Sequence, residues 1–226
     1  MIRNLQQRRH FILSASIGLL VGLCAPKAFA QATAKPGAAG RTPVILVLGD
    51  SLSAEYGLAR GTGWVALLEK QLAQDKLTAT VVNASVSGET TSGGRSRLAA
   101  LLAQHKPSHV VIELGGNDAL RGLPLKNTEE NLTWMTQTAQ KAGAKVLLVG
   151  MQVPPNYGTD YANKFAGLFT SVAQAHKAAV VPFFLKGVAD GPDPTRLFQP
   201  DRIHPRAEAH PQMLANVWPE LKKLLR

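Results

Sequence analysis

Short apolar runs alternate along the chain with longer amphipathic stretches, and the two patterns predict alternating strands and helices. Each short run is bounded by polar or turn-forming residues, which is typical of buried strands. The five runs cover residues 44–48, 80–84, 110–114, 146–149 and 180–181. Because strands separated by helices are joined by right-handed crossovers, this order predicts a parallel sheet that is covered on both faces.

The longer stretches have the spacing of helices. Apolar residues in 64–77 recur on one side, and residues 127–142 begin with a capping box formed by Asn127 and Glu130. Further helices are predicted over residues 96–105, 161–178 and 207–224. The fold class is therefore α/β, and we predict a single-domain three-layer α/β/α sandwich with a central parallel sheet of five strands.

Residues 1–30 resemble an export signal peptide. Three arginines come first, an apolar run follows over residues 11–23, and a small-x-small cleavage site stands at residues 28–30. The apolar run is short for a transmembrane helix. We therefore predict a flexible linker over residues 31–41 and one domain over residues 42–226.

Three alternatives remain for this leader. The pair Arg8-Arg9 resembles a twin-arginine signal, and Cys24 is a candidate for lipid attachment although Leu23 is a poor residue before it. The leader could also stay uncleaved as an anchor. Cleavage after Ala30 predicts a periplasmic or secreted protein without stable membrane insertion.

The net charge changes once the leader is removed. The chain has 25 basic and 15 acidic residues, a formal charge of +10, but the leader holds four of the basic residues and no acidic one. The remainder has 21 basic and 15 acidic residues, a charge of +6, and no cysteine. This excludes a disulfide scaffold and a cysteine-based metal site. Without a basic run or interleaved aromatic residues, the charge does not indicate a nucleic-acid partner.

Polar, glycine-containing clusters follow the first three predicted strands. They cover residues 49–53, 85–90 and 115–118, and a fourth cluster stands at residues 201–205. In open α/β sheets, ligands bind at the carboxyl ends of the strands. Each cluster alone is typical of a turn, but together they supply a nucleophile, a base, an orienting carboxylate and oxyanion donors. That set is what acyl transfer requires.

Ser51 is the candidate nucleophile and requires a base, because a free serine hydroxyl reacts poorly. His204 has Asp201 three residues before it and Pro205 after it. In a tight turn the carboxylate would reach Nδ1 of the imidazole and leave Nε2 for Ser51. The spacing by itself is equally typical of a local turn or cap. Four histidines after the leader are interpreted as surface or structural residues: His105, His109, His176 and His210.

The clusters, in this order, resemble the GDSL esterases, also called SGNH hydrolases, whose name records Ser51, Gly88, Asn117 and His204. The resemblance extends from about Val44 to the final helix. Its context is similar to the bacterial arylesterase, thioesterase I and lysophospholipase L1 branch. The matching blocks are GDSLSA at 49–54, NASVSG at 83–88, ELGGND at 113–118, LRG at 120–122 and PNYG at 155–158. This resemblance implies the flavodoxin-like SGNH hydrolase fold.

The resemblance also implies roles for single residues. Ser51, His204 and Asp201 would form the catalytic triad. The backbone N–H groups of Ser51 and Gly88 and the side-chain amide of Asn117 would form the oxyanion hole, although Asn117 alone could be a turn residue. The neighbouring acids Asp50 and Asp118 are expected to hold backbone N–H groups of their loops instead of serving as the triad acid.

A proline-rich loop follows the fourth predicted strand. By the same resemblance, Pro155, Asn156 and Tyr157 would border an acyl-chain groove and bind substrate. The alternative interpretation is a connection that starts the next helix, and both can hold together.

The sequence thus predicts an exported serine esterase for carboxylic esters, with aryl esters, acyl thioesters and lysophospholipids as candidate substrates. We expect no cofactor, no metal and no nucleic-acid partner, and a monomer is favoured. One alternative is a carbohydrate O-acetylesterase, which lacks support because Trp64, Trp134 and Trp218 all fall on helix patterns. The other is a non-catalytic lipid-binding module, against which the complete set of triad residues argues.

Overall fold

The computed structural model describes residues 42–226, and a five-stranded parallel sheet forms its centre. The strands run in the spatial order β2-β1-β3-β4-β5, with every neighbouring pair parallel. They are β1 Val44–Gly49, β2 Thr80–Asn83, β3 His109–Glu113, β4 Lys145–Val149 and β5 Ala179–Val181. The predicted parallel sheet of five strands is confirmed.

Helices cover both faces of the sheet. They are α1 Trp64–Gln74, α2 Thr91–His105, α3 Gly116–Leu120, α4 Leu125–Lys141, α5 Thr159–His176 and α6 His210–Leu224. Helices α1 and α6 pack together on one face, while α2, α4 and α5 pack side by side on the other. The predicted three-layer α/β/α sandwich is therefore confirmed.

The inner strands are apolar along their whole length because helices cover them on both sides. Residues 45–48 of β1 are fully buried, as is most of β3. The register pairs Gly49 with Glu113 at the carboxyl ends of β1 and β3. The loops that follow these two strands therefore start side by side, at the edge where the polar clusters were predicted to meet.

Three details of the helices differ from the prediction. Helix α2 begins at Thr91, earlier than expected, because the Thr90 hydroxyl accepts the Gly93 N–H and caps it. The capping box at Asn127 is wrong, since α4 starts at Leu125 directly after Pro124, whose fixed φ suits a helix start. The short helix α3 was not predicted.

Residues 1–41, with the predicted leader and linker, lie outside the described residues, so those boundaries stay predictions. Within residues 42–226, no helix is both long enough and apolar enough to cross a membrane.

Candidate active site

Three side chains form a continuous hydrogen-bonded chain at the carboxyl edge of the sheet. The Ser51 hydroxyl lies 2.9 Å from Nε2 of His204, and Nδ1 of the same imidazole lies 2.6 Å from the Asp201 carboxylate. Ser51 and His204 are 153 residues apart in the sequence. The structure thus brings together the three residues that the sequence singled out as nucleophile, base and orienting acid.

The Asp201 carboxylate is fixed by more than the histidine. Its second oxygen accepts the backbone N–H groups of Ile203 and His204, both at 3.0 Å. Burial acts to raise the pKa of Asp201, but the hydrogen bond to the His204 imidazole and those from the two backbone N–H groups outweigh it and lower the pKa to about 2. The carboxylate therefore stays ionised at any pH at which the protein would work.

Ser51 opens a tight turn directly after β1. The Asp50 carbonyl accepts the N–H groups of Ser53 and Ala54, and the Ser51 carbonyl accepts the N–H of Tyr56. The first N–H groups of such a turn have no acceptor within the turn. The Ser51 N–H is one of these groups. The turn thus presents the hydroxyl of Ser51 toward His204 and leaves its N–H available for an oxyanion.

His204 is held in the loop that leads to α6. The His204 carbonyl accepts the Gln199 N–H at 2.7 Å, and Phe198 pairs with Pro205 across the same loop. The Gln199 side chain donates to the Tyr56 carbonyl at 3.0 Å, which ties this loop to the Ser51 turn. The Tyr56 ring lies 4.3 Å from the imidazole, centre to centre, and covers one of its faces.

The two further oxyanion candidates lie on neighbouring loops. Gly88 follows β2 with a φ of +77°, a left-handed conformation that favours glycine. Its carbonyl accepts a hydrogen bond from Arg121 at 2.8 Å, which joins this loop to the end of α3. Asn117 lies in the first turn of α3, and its side-chain N–H donates to Asp50 at 3.0 Å.

Pro155, Asn156 and Tyr157 form a short 3₁₀ helix before α5. Tyr157 is half-buried, and its ring stacks on Tyr161, which in turn stacks on Phe165. The expected connection to the next helix is therefore present, and three aromatic rings pack in sequence beside it. A role for these residues in substrate binding stays a prediction.

The comparisons with known proteins agree with this arrangement. The sequence model of the GDSL-like lipase/acylhydrolase family matches residues 47–211. The chain belongs to that family. It is 52% identical to esterase TesA of Pseudomonas aeruginosa over 181 residues, which cover 80% of this chain and 89% of the relative. It is 40% identical to thioesterase 1/protease 1/lysophospholipase L1 of Escherichia coli strain K12 over 173 residues, which cover 76% and 80%.

A solved structure shows the same family fold. The crystal structure of TesA superposes with a TM-score of 0.77 at 52% sequence identity, and the match covers 80% of this chain and 99% of the other. As a member of the GDSL-like family, the protein is a hydrolase of ester bonds.

The expected loop-holding roles of the two acids beside the site agree with the hydrogen bonds. Asp50 accepts the Leu52 N–H at 3.0 Å, and Asp118 accepts the Thr91 N–H at 2.8 Å. Asp118 also accepts the hydroxyls of Thr91 and Thr128, so it anchors the start of α2. Of the two acids, Asp50 is the one that contacts Asn117, which the sequence did not indicate.

A buried carboxyl pair lies beneath the serine turn of this GDSL-like hydrolase. Burial raises the pKa of Asp50 from its ordinary value of 3.8 to about 6, against the opposing hydrogen bonds from Leu52 and Asn117. Burial also raises the pKa of Glu113 well above its ordinary range, and the charge of Asp50 raises it further. Since two adjacent buried carboxylates cannot both ionise near neutral pH, Glu113 keeps its proton and Asp50 is the one that ionises.

This pair predicts a pH-dependent difference in stability between the wild type and Asp50→Asn. The folded protein holds the Asp50 proton more tightly than the unfolded chain does. The stabilisation of the folded state that results is complete below pH 3.8 and is lost as the pH rises through about 6. The free energy of unfolding of the wild type should therefore fall relative to the variant across that range. Urea unfolding in a series of buffers measures the difference.

Asp193→Asn is the matched control for that experiment. Asp193 accepts the Thr195 N–H, which lowers the pKa of its carboxyl. The contribution of Asp193 to the free energy of unfolding is therefore lost as the pH falls. The two variants should give opposite slopes against pH. The raised pKa of Asp50 would be contradicted if the difference in free energy of unfolding between the wild type and Asp50→Asn is constant with pH. It would also be contradicted if that difference changes in the same direction as the difference for Asp193→Asn.

Two of the other histidines, His109 and His210, make structural contacts. His109 lies 2.9 Å from the Leu224 carbonyl, and His210 accepts the Trp64 N–H at 3.0 Å. Burial lowers the pKa of both histidines, which favours their neutral form. Within residues 42–226, no group of three or more His, Cys, Asp or Glu side chains is arranged to hold a metal ion.

Sequence reasoning missed three contributors to the site. They are Glu113 beneath the serine turn, Tyr56 on the imidazole and Arg121 on the Gly88 carbonyl. Glu113 carried a usable signal, because it is the one charged residue in an otherwise apolar inner strand run, 110–114. Arg121 stands in the matching block LRG at 120–122, but the block gave it no role in the site, and Tyr56 lies in a loop, where the pattern of polarity gives no signal.

Proposed function

We propose that this protein is an exported serine esterase that hydrolyses acyl esters through an acyl-enzyme on Ser51. The single observation that supports the proposal best is the continuous chain from the Ser51 hydroxyl through His204 to Asp201. A serine in contact with a neutral imidazole, which is itself oriented by a carboxylate, is the arrangement that activates a hydroxyl for acyl transfer.

The proposed reaction proceeds in two halves. Ser51 Oγ attacks the acyl carbonyl while His204 Nε2 takes the hydroxyl proton, and collapse of the tetrahedral intermediate passes that proton to the leaving alcohol or thiol. Water then gives its proton to His204 and attacks the acyl-enzyme, and the acid is released as Ser51 regains the proton. Asp201 stays ionised throughout and stabilises the transient imidazolium.

Three donors are proposed to stabilise the oxyanion: the backbone N–H groups of Ser51 and Gly88 and the side-chain amide of Asn117. Ser51 and Gly88 lie in loops and Asn117 lies in the first turn of α3, all after strands that end at the same edge of the sheet. One N–H of the Asn117 amide is bonded to Asp50, which leaves the second for the reaction. A donor of this kind stabilises the transition state by about 3–4 kcal/mol.

Asn117→Ala should therefore lower kcat by about 10²- to 10³-fold while KM changes little. The negative charge on the carbonyl oxygen exists in the transition state and not in the bound ester, so the lost hydrogen bond is mostly absent from ground-state binding. Initial rates over a range of p-nitrophenyl ester concentrations separate the two constants.

Asn127→Ala is the control, because Asn127 is exposed on α4. Its kcat and KM should match those of the wild type. If Asn117→Ala instead raises KM at an unchanged kcat, Asn117 contacts the substrate in the ground state and does not belong to the oxyanion hole.

The proposed substrates are carboxylic esters and thioesters with an apolar acyl chain. Support comes from the stacked rings beside Asn156 and from the relatives named esterase and thioesterase/lysophospholipase. Pro155, Asn156 and Tyr157 are the proposed border of the acyl groove. A segment with aromatic rings favours methylene chains because it removes their surface from water.

The deciding experiment is a substrate panel with the purified protein. It contains p-nitrophenyl esters from acetate to palmitate, palmitoyl-CoA, a lysophosphatidylcholine and acetylated xylan. Turnover of the acyl esters and the thioester supports the proposal. Turnover of acetylated xylan alone would identify a carbohydrate O-acetylesterase, and fatty-acid binding without turnover would identify a lipid-binding module.

Export rests on the resemblance of residues 1–30 to a signal peptide. We expect the protein recovered from the periplasm or the medium of a producing bacterium to begin at Gln31, which intact-mass spectrometry measures directly. A mass that retains residues 1–30, found in the membrane fraction, would identify an uncleaved anchor instead.

A further inference from the structure

A row of buried polar groups runs from the core to Asn117, beneath the serine turn. One oxygen of Asp50 accepts the Asn117 amide at 3.0 Å, and the other accepts the Leu52 N–H at 3.0 Å. Asp50 itself is almost fully buried, with 3% of its surface exposed. A charged group in such a place is costly unless its partners are well placed, so its position is closely determined.

Glu113 stands directly behind this carboxylate, at the end of β3. Its carboxyl accepts the Ser53 hydroxyl at 2.7 Å and the Asp50 N–H at 3.4 Å. The Ser53 hydroxyl in turn accepts the indole N–H of Trp64 at 3.0 Å. Gly49 makes this close approach possible, because a Cβ there would lie 2.9 Å from the Glu113 carboxyl and 2.7 Å from Ser53.

We propose that Asp50 is the positioning residue of the oxyanion hole, acting through Asn117, and that the Glu113 carboxyl fixes Asp50. The proposal rests on the function proposed above, in which Asn117 stabilises the oxyanion. A primary amide has two N–H bonds and one oxygen in a plane, and its ends can exchange by rotation. The Asp50 oxygen accepts only from the nitrogen end, so it holds that end, and hence the second N–H, toward the reacting carbonyl.

The protonation of the pair is consistent with these roles. Burial raises the pKa of both carboxyls, and more strongly that of Glu113, so Asp50 is the anionic acceptor above pH about 6. The groups that face Asp50 are Glu113, Asp118 and His204. The charge of Asp118 raises the pKa of Asp50, and His204 lowers it. Glu113, in the neutral form, adds no second charge beside the oxyanion.

The first test is a double-mutant cycle that combines Asp50→Asn with Asn117→Ala. Asp50→Asn keeps the size of the side chain but has one acceptor oxygen in place of two, so it cannot accept from both the Asn117 amide and the Leu52 N–H. We expect kcat to fall by about 10- to 100-fold in the wild-type background with KM changed by less than about threefold. In the Asn117→Ala background the same change should lower kcat by less than about twofold, because no amide remains to be positioned.

Asp118→Asn is the matched control. It alters a buried carboxylate next to Asn117 that bonds Thr91 and Thr128 instead. Its effect on kcat should be the same in both backgrounds. An Asp50→Asn effect that is equally independent of Asn117 would overturn the proposal, because Asp50 would then only support the fold.

The second test concerns the neutral form of Glu113. Glu113→Ala leaves the Ser53 hydroxyl and the Asp50 N–H without their buried acceptor, so kcat should fall by about tenfold or more. Glu113→Gln, which is neutral and of equal size, should restore most of that loss. If Glu113→Gln is as impaired as Glu113→Ala while both unfold at the wild-type temperature, a charged Glu113 is required and the assignment is wrong.

These outcomes are separable from failure of the proposed function. If neither Asn117→Ala nor Asp50→Asn changes kcat, the positioning role is overturned. Covalent trapping of Ser51 by a fluorophosphonate still reports independently on the nucleophile. If Asp50→Asn lowers kcat where Asn117→Ala does not, Asp50 acts through another group, and the positioning role is again overturned.

Discussion

Replacing Ser51 with Ala should lower kcat for ester hydrolysis by about 10⁴-fold or more, because it removes the oxygen that is proposed to form the acyl-enzyme. The fold should be unaffected. The side chain is small, and its hydroxyl is bonded to His204, which keeps its other partner, Asp201. Initial rates with a p-nitrophenyl ester measure the loss, and thermal unfolding measures the stability.

Ser171→Ala, on the exposed side of α5, is the control and should behave as the wild type does. A fluorophosphonate probe should add its mass to the peptide that contains Ser51 in the wild type and in Ser171→Ala, and to no peptide of Ser51→Ala. A Ser51→Ala protein that kept more than about a hundredth of wild-type kcat would place the nucleophile elsewhere, since triad losses are usually far larger.

Asp201→Asn should lower kcat by about 10³- to 10⁴-fold, near the loss seen for the equivalent change in the Ser-His-Asp template. The reason lies in the two backbone N–H groups of Ile203 and His204, which bond one oxygen of Asp201. They would keep the oxygen of an asparagine on their side and turn its amide toward His204 Nδ1. The imidazole would then carry its proton on Nε2, where it cannot accept the proton of Ser51.

Asp193→Asn makes the same chemical change in a turn that does not contact the triad, and it should leave kcat unchanged. The decisive comparison is the ratio of each variant's kcat to that of the wild type, measured with the same p-nitrophenyl ester. Near-equal kcat for Asp201→Asn and the wild type would remove Asp201 from the mechanism.

The sheet was predictable because its inner strands are covered on both faces. Such strands must be apolar along their whole length, and the run at residues 45–48 shows that pattern without interruption. The candidate triad was predictable for a related reason. Parallel strands end at one edge, so the polar clusters that follow them lie together, and the resemblance to a known family selected His204 from five histidines.

The start of α2 was not predictable from local preference. Gly93 and Gly94 disfavour a helix, yet both lie in its first turn. The reason is packing, because a Cβ at Gly94 would clash with the side chain of Leu114, the residue after β3. A contact of this kind between distant residues outweighs propensity and leaves no mark in the local pattern.

The support of the oxyanion hole was not predictable for a different reason. Sequence reasoning expected Asp50 to hold backbone N–H groups, and it does so at Leu52. The contact from Asp50 to Asn117 joins residues 67 positions apart, and that from Ser53 to Glu113 spans 60. Both depend on the register of β1 against β3, which only the folded sheet defines.

The separation between nucleophile and base has a consequence for biosynthesis. A growing chain that has been translated through α5 contains Ser51, Gly88 and Asn117 but has no base, because His204 follows 153 residues after the serine. Bringing Ser51 and His204 together closes a long loop, which costs conformational entropy. The last helix, α6, packs against α1. If Ser51 and His204 act as proposed, we expect a chain that ends before His204 to have no hydrolytic activity.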